Sequence, residues 1–181
     1  MNLDNLFKNF CKKNNLEINS YQLSIINELK SYYDLNFNKS ILNKIFSKKN
    51  SKPAFYLYGG VGVGKTMILN FFFDLLEEKK LRQHFNEFIL SFHNFAHERK
   101  EKNEENVINQ FVKNLKSQTK LIYFDEFQVT NIVDAMILGK LFEQIFKEDI
   151  KIILTSNIKI SELYKDGLQR DQFKPFIKIM E

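Results

Sequence analysis

The sequence predicts an α/β fold, a parallel sheet with helices on both faces, preceded by a helical N-terminal segment. Three observations carry that reading. Short apolar runs at 54–58, 85–92, 121–124 and 152–154 alternate with stretches of helical period, the pattern of strand–helix–strand units. The 181 residues are 44% hydrophobic and 27% charged, enough apolar material for a buried core. No internal repeat and no Pro- or Gly/Ser-rich linker divides the chain, so the division expected is a helical segment over 1–50 and an α/β core over 51–181.

In chain order, Leu3, Leu6, Phe7, Phe10 and Cys11 form a short amphipathic stripe that is expected to pack on the domain's own core rather than on a membrane or partner. Asn19 followed by Gln22 resembles a capping box, and Ile25, Ile26, Leu29, Tyr32 and Tyr33 then recur at helical spacing. Residues 37–52 read as a short helix and a loop. Residues 54–58 are a strand running into glycines, and 65–76 a helix apolar nearly all round. Lys79 and Lys80 stand at that helix's C-terminal end, where cations suit the dipole. Residues 85–92 read as a second strand. Val107, Ile108, Phe111, Val112 and Leu115 mark a helix, 121–124 a buried strand, and Leu138, Leu141, Phe142, Ile145 and Phe146 a third core helix. Residues 152–154 are a fourth strand, and a final helix follows Asn157.

Composition excludes several classes. No run reaches the ~18 apolar residues of a spanning helix. The single cysteine, Cys11, can form no internal disulfide and fits a reducing cytosol. The N-terminus reads as neither a secretory signal nor a transit peptide, so a cytoplasmic location is expected. The formal charge is +5, with 24 Lys and only three Arg: Arg82, Arg99 and Arg170. Residues 35–73 hold six lysines and no acid. A solvated lysine-rich loop explains that run better than a polyanion site does.

Gly59, Gly60, Val61, Gly62, Val63, Gly64, Lys65 and Thr66 read GGVGVGKT and fit G-x-x-x-x-G-K-[ST]. Glycines let the backbone wrap a phosphate so that successive N–H groups face its oxygens. Lys65 can then reach the β- and γ-phosphates of ATP, the Thr66 hydroxyl can ligate Mg²⁺, and the helix that opens here adds its positive end. The motif follows a strand, opens a helix and holds four of the chain's six glycines. Downstream, the apolar run 121–124 ends in Asp125 and Glu126, at the strand tip where α/β sheets place ligands. Asp125 would hold Mg²⁺ through its water shell, and Glu126 would polarise the attacking water, a role that distinguishes a hydrolase from a kinase. Asn157, at the tip of the next strand, would orient that water, with a helix-cap role as the competing reading. Arg170, taken on its own, reads as a surface ion pair. His93 and His97 stand i, i+4 without the glutamate of a metalloprotease helix, and Phe71–Phe73 reads as core.

These residues together resemble an AAA+ ATPase of the P-loop NTPase fold. More narrowly, the chain is similar to the ZapE family of bacterial cell-division ATPases and their mitochondrial relatives, the AFG-one-like (lactation-elevated) ATPases. The stretches that carry the resemblance are FYLYGGVGVGKTMILNFFF from Phe55, HFNEFILSFH from His84, IYFDEFQVTNIVDAMILGKLFEQIF from Ile122 and IILTSNIKISELYKDGLQRDQFKPFI from Ile152. The resemblance implies Walker B acids at Asp125 and Glu126, a sensor at Asn157 and an arginine finger at Arg170. It also implies a homo-oligomeric ring, ATP hydrolysis with Mg²⁺, and a protein client. In bacteria that client would be FtsZ, at the division site on the inner face of the membrane. Asn131, Lys140 and Asn86 depart from the family pattern, all outside the phosphate chemistry. Family members continue past Ile177 into a fifth strand and further helices, so the resemblance implies a C-terminally truncated core whose P-loop strand lies at an exposed edge.

Two rival readings remain. A nucleic-acid-associated AAA+ protein of the helicase-loader type has similar P-loops; FDEFQVT and DGLQRDQF argue against it, so nucleic acid is not the expected partner. The other rival is an ATP-binding module with little turnover.

Overall fold

The computed structural model describes residues 3–37, 52–99 and 104–181. Residues 38–51 lie outside the described residues, and with them nearly all of the helix and loop expected over 37–52 and four of the six lysines of the 35–73 run. Helices α1 (Leu3–Lys13) and α2 (Ser20–Asn36) come first, then strand β1 (Ala54–Tyr58) and helix α3 (Lys65–Asp74). Strand β2 (Lys80–His84) leads into α4 (Phe85–Arg99) and α5 (Glu104–Gln118), and β3 (Leu121–Asp125) into α6 (Ile132–Lys147). Strand β4 (Lys151–Ser156), a 3₁₀ turn at Ile160–Glu162 and α7 (Arg170–Met180) complete the chain.

The four strands among the described residues are all parallel, in the order β1-β4-β3-β2. The chain leaves β1 for the far edge and returns strand by strand until β4 lies beside β1. That reversal opens a crevice at the strands' C-terminal ends, the place where open α/β sheets bind ligands.

Each sheet face is buried against its own helices. Ile122, Phe124, Ile152 and Leu154 face a core closed by α4, α5, α6 and α7. Leu121, Tyr123 and Ile153 point the other way, into a core built by α1, α2 and α3. Leu3, Phe7 and Cys11 are buried there, so the N-terminal stripe packs on the sheet layer as its spacing predicts. Phe71, Phe72 and Phe73 are buried in the same core. The Tyr32 hydroxyl donates to the carbonyls of Pro53 (3.2 Å) and Ile152 (3.1 Å), pinning α2 over the start of β1 and β4.

The second strand is a correction. Residues 85–92 are not a strand; they open α4, and β2 is the preceding KLRQH. Phe85, Phe88, Ile89 and Phe92 recur at i, i+3, i+4 and i+7, a helical period, and all four are buried. The true strand lies at the sheet edge, half-buried and mostly polar, so apolar content pointed past it.

Local chemistry sets the element ends. Asn19 accepts from the Gln22 amide (2.9 Å) and Gln22 from the Asn19 amide (3.3 Å), the full capping box. Asn131 caps α6 by accepting from the Val133 amide, so asparagine serves there as well as an acid would. The Lys80 ammonium donates to the carbonyls of Phe73 (2.5 Å) and Leu76 (2.6 Å), satisfying the C-terminal end of α3. Phe176 of α7 is buried against the rings of Phe127 and Phe142, and the buried Phe173 stacks on Phe176, which seats α7 on α6.

Candidate phosphate-binding cleft

Residues 59–66 lie between the tip of β1 and the first turn of α3, and Gly62 and Gly64 both adopt left-handed backbone, at φ +83° and +88°. Gly64 is the N-cap of α3 and caps it with no side chain, which leaves the first helical amides open to an anion. The side of α3 facing the sheet is apolar, so burial of Ile68, Leu69 and Phe72 aims that N-terminus at the crevice.

A cleft of about 340 Å³ opens there, lined by Val61, Gly62, Gly64, Lys65 and Thr66 from the loop, Asp125 and Glu126 from β3, and Thr155, Ser156 and Asn157 from β4. The Lys65 ammonium donates to the carbonyls of Gly59 (2.8 Å) and Gly60 (2.8 Å) and to Asn157 Oδ1 (2.9 Å). Asn157 is thus tied to the loop lysine, and Lys159, not Asn157, precedes the 3₁₀ turn.

The two acids are held from the neighbouring strand. Register pairs Phe124 with Leu154, which brings Asp125 beside Thr155. The Thr155 hydroxyl donates to Asp125 Oδ1 (2.5 Å) and accepts from the Glu126 amide (3.1 Å). Glu126 sits at φ +55°, a left-handed conformation that costs a non-glycine residue energy and that the Thr155 contact helps to hold. This kink swings the exposed Glu126 over the cleft while Asp125 stays buried. Thr66 Oγ1 lies 3.4 Å from Asp125 Oδ1. On the far side, Arg82 Nη2 donates to Asp125 Oδ2 (3.1 Å). Burial alone would raise the Asp125 pKa. The hydrogen bonds from Thr155 and Arg82, with the guanidinium charge, outweigh it and hold the carboxyl below its ordinary 3.8.

Mg²⁺ fits this donor set. Thr66 and Asp125 offer hard oxygens at one point, and among the described residues no group of three or more His, Cys, Asp or Glu side chains gathers into a cage. A cation that keeps several waters and takes phosphate oxygens suits so sparse a protein shell.

Loop, acids and Asn157 are therefore brought together, whereas Arg170 is not. It opens α7, outside the lining of this cleft, with Nη2 donating to the Ser161 carbonyl (2.7 Å) and a buried Nε that has no partner among the described residues. His93 is engaged by Asp134 (2.7 Å). Sequence reasoning assigned no role to Thr155 or Arg82. Their signal lies in strand register, which composition does not carry; the scarcity of arginine was the only pointer to Arg82.

Residues 10–181 match the family model described as AFG1-like ATPase. Lactation elevated protein 1 homolog B of Danio rerio is 41% identical over 145 residues, spanning 75% of this chain and 29% of that one. Cell division protein ZapE of Escherichia coli K12 is 39% identical over 134 residues, spanning 72% and 35%. The chain thus spans about a third of the length of the curated relatives it matches. Among solved structures, DnaI superposes with a TM-score of 0.57 at 14% identity, covering 92% of this chain and 84% of that one. Domain III of the Thermotoga maritima replication initiation protein DnaA gives 0.51 at 18%, covering 80% and 63%. Both likenesses are of fold alone. No helix among the described residues is long and apolar enough to cross a membrane. The chain belongs to the AFG1-like ATPase family.

Proposed function

We propose that this member of the AFG1-like ATPase family is an Mg²⁺-dependent ATPase of the ZapE type, hydrolysing ATP at an interface between copies to act on a protein partner in cell division or protein quality control. The observation that carries the reading is the single cleft in which Lys65, Thr66, Asp125, Glu126 and Asn157 converge at the topological reversal of the sheet. The link to division rests on the likeness to cell division protein ZapE of Escherichia coli; FtsZ is the client that the resemblance implies.

Within that cleft the roles divide by chemistry. Amides of residues 59–66 receive the phosphate oxygens, and Lys65 exchanges two backbone carbonyls for charged oxygens, which form stronger, charge-assisted bonds. Thr66 and Asp125 would hold Mg²⁺, which when bound would supply positive charge against the phosphate oxygens. Glu126, kinked over the cleft, polarises the attacking water. Asn157, released by Lys65, orients that water. Arg170 does not line its own chain's cleft, so as a finger it would act on a neighbouring copy's.

Mg-ATP hydrolysis across a range of protein concentrations, with Arg170→Ala alongside, tests this. Turnover per chain is expected to climb with concentration, and the variant to lose about 10³-fold or more, as arginine fingers do where they operate. Bound ATP with background turnover at every concentration would refute hydrolysis by this chain and leave a nucleotide-binding module.

A further inference from the structure

Arg82 lies on β2, at the opposite edge of the sheet from the P-loop strand, and does not line the cleft. Its guanidinium nevertheless crosses to β3. It stands 5.2 Å from the centre of the Tyr123 ring and donates from Nη2 to Asp125 Oδ2 at 3.1 Å. The other oxygen of that carboxylate, Oδ1, accepts from Thr155 and faces the Thr66 hydroxyl. The two oxygens therefore have separate partners: Oδ2 is anchored away from the cleft and Oδ1 is presented to it.

An exposed ion pair would carry little meaning. Here the Asp125 side chain is only 7% exposed and that of Arg82 41%, so the carboxylate has lost most of its water and the guanidinium replaces it. A buried carboxylate held at one oxygen could still swing about its last torsion. Held at both, it cannot. The cation–π contact over the Tyr123 ring steadies the guanidinium in turn, and a lysine ammonium lacks the planar fork that makes both contacts at once.

We propose that Arg82 is a positioning residue of the metal–nucleotide site, locking Asp125 so that Oδ1 stays turned toward Thr66, without itself touching nucleotide. This rests on the reading of the cleft given above. Because Arg82 acts only through Asp125, its loss weakens the part of nucleotide affinity that depends on Mg²⁺ and leaves the phosphate grip of the loop intact.

A fluorescent ATP analogue titrated into the unaltered chain, Arg82→Gln, Arg82→Lys and Lys65→Ala, each in Mg²⁺ and in EDTA, tests it, with melting curves confirming that each variant is folded. Outer-shell partners of metal ligands typically contribute about 10–100-fold to metal affinity. Arg82→Gln is therefore expected to need about tenfold more Mg²⁺ for half-maximal binding, to match the unaltered chain in EDTA within about twofold, and to be partly rescued by Arg82→Lys. Should Arg82→Gln not fold, Arg82→Lys alone must show a smaller rise confined to Mg²⁺. Equal weakening in Mg²⁺ and EDTA, or an unchanged or lower Mg²⁺ requirement, overturns the proposal. Failure of the underlying reading looks different: the unaltered chain would bind no analogue, or Lys65→Ala would bind it equally well, and both would fall together.

Discussion

Replacing Thr155 by valine removes one buried hydroxyl while keeping the side chain's shape. Two hydrogen bonds go with it, one to the Asp125 carboxylate (2.5 Å) and one from the Glu126 amide (3.1 Å). A bond to a charged group contributes about 1.5–3 kcal/mol and a neutral one about 0.5–1.5 kcal/mol. Arg82 still holds the other oxygen of Asp125, so the expected loss lies at the lower end, about 2–3 kcal/mol. For a chain of this size that lowers Tm by roughly 4–12 °C. Circular dichroism melts of the unaltered chain, Thr155→Val and Thr155→Ser measure it, and serine is expected to restore most of the loss. The pH dependence adds a sign. Asp125 is held below its ordinary 3.8, so its stabilising share is present above that value and fades as pH falls through the lower, folded pKa. Thr155→Val raises that folded pKa, so the gap between variant and unaltered chain present at pH 7 should narrow as pH falls below the ordinary 3.8. A loss below about 1 kcal/mol at pH 7, or a gap that widens with acid, would refute the reasoning.

Other expectations follow from the same contacts. A Cβ on Gly167 would run into the Tyr164 ring, so Gly167→Ala should cost about 1–3 kcal/mol, the range for overpacking; in a Tyr164→Ala background most of that cost should vanish, as a double-mutant cycle in urea would register. Equal costs in the two backgrounds would contradict the clash. Tyr32→Phe removes the hydroxyl shared between the Pro53 and Ile152 carbonyls and should lower stability by about 1–2 kcal/mol in denaturant titrations, with nucleotide affinity unchanged.

Much of the cleft was legible in the sequence because its chemistry is local. A glycine-rich turn must be contiguous to wrap a phosphate, and an acid pair must follow its strand to reach the sheet's edge, so GGVGVGKT and FDE announce themselves. The Asn19–Gln22 box was legible for the same reason, being closed within one turn. Thr155 and Arg82 were not, because each acts on Asp125 from a different strand, 30 and 43 residues away in the chain, and only the pairing of β2 and β4 with β3 brings them there. β2 itself was missed because an edge strand has one neighbour and little to bury, while the phenylalanines beyond it drew attention that their helical spacing should have redirected.

Calorimetric titration of Mg-ATP into the unaltered chain and into Lys65→Ala tests the central claim most directly. The ammonium of Lys65 is the loop's one charged donor, and a charge-assisted bond to phosphate accounts for about 1.5–3 kcal/mol. The account predicts saturable one-to-one binding by the unaltered chain and affinity at least about tenfold weaker in Lys65→Ala, at about 1.4 kcal/mol per factor of ten. Equal affinity in the two chains, with both folded, would place the nucleotide elsewhere and contradict the account.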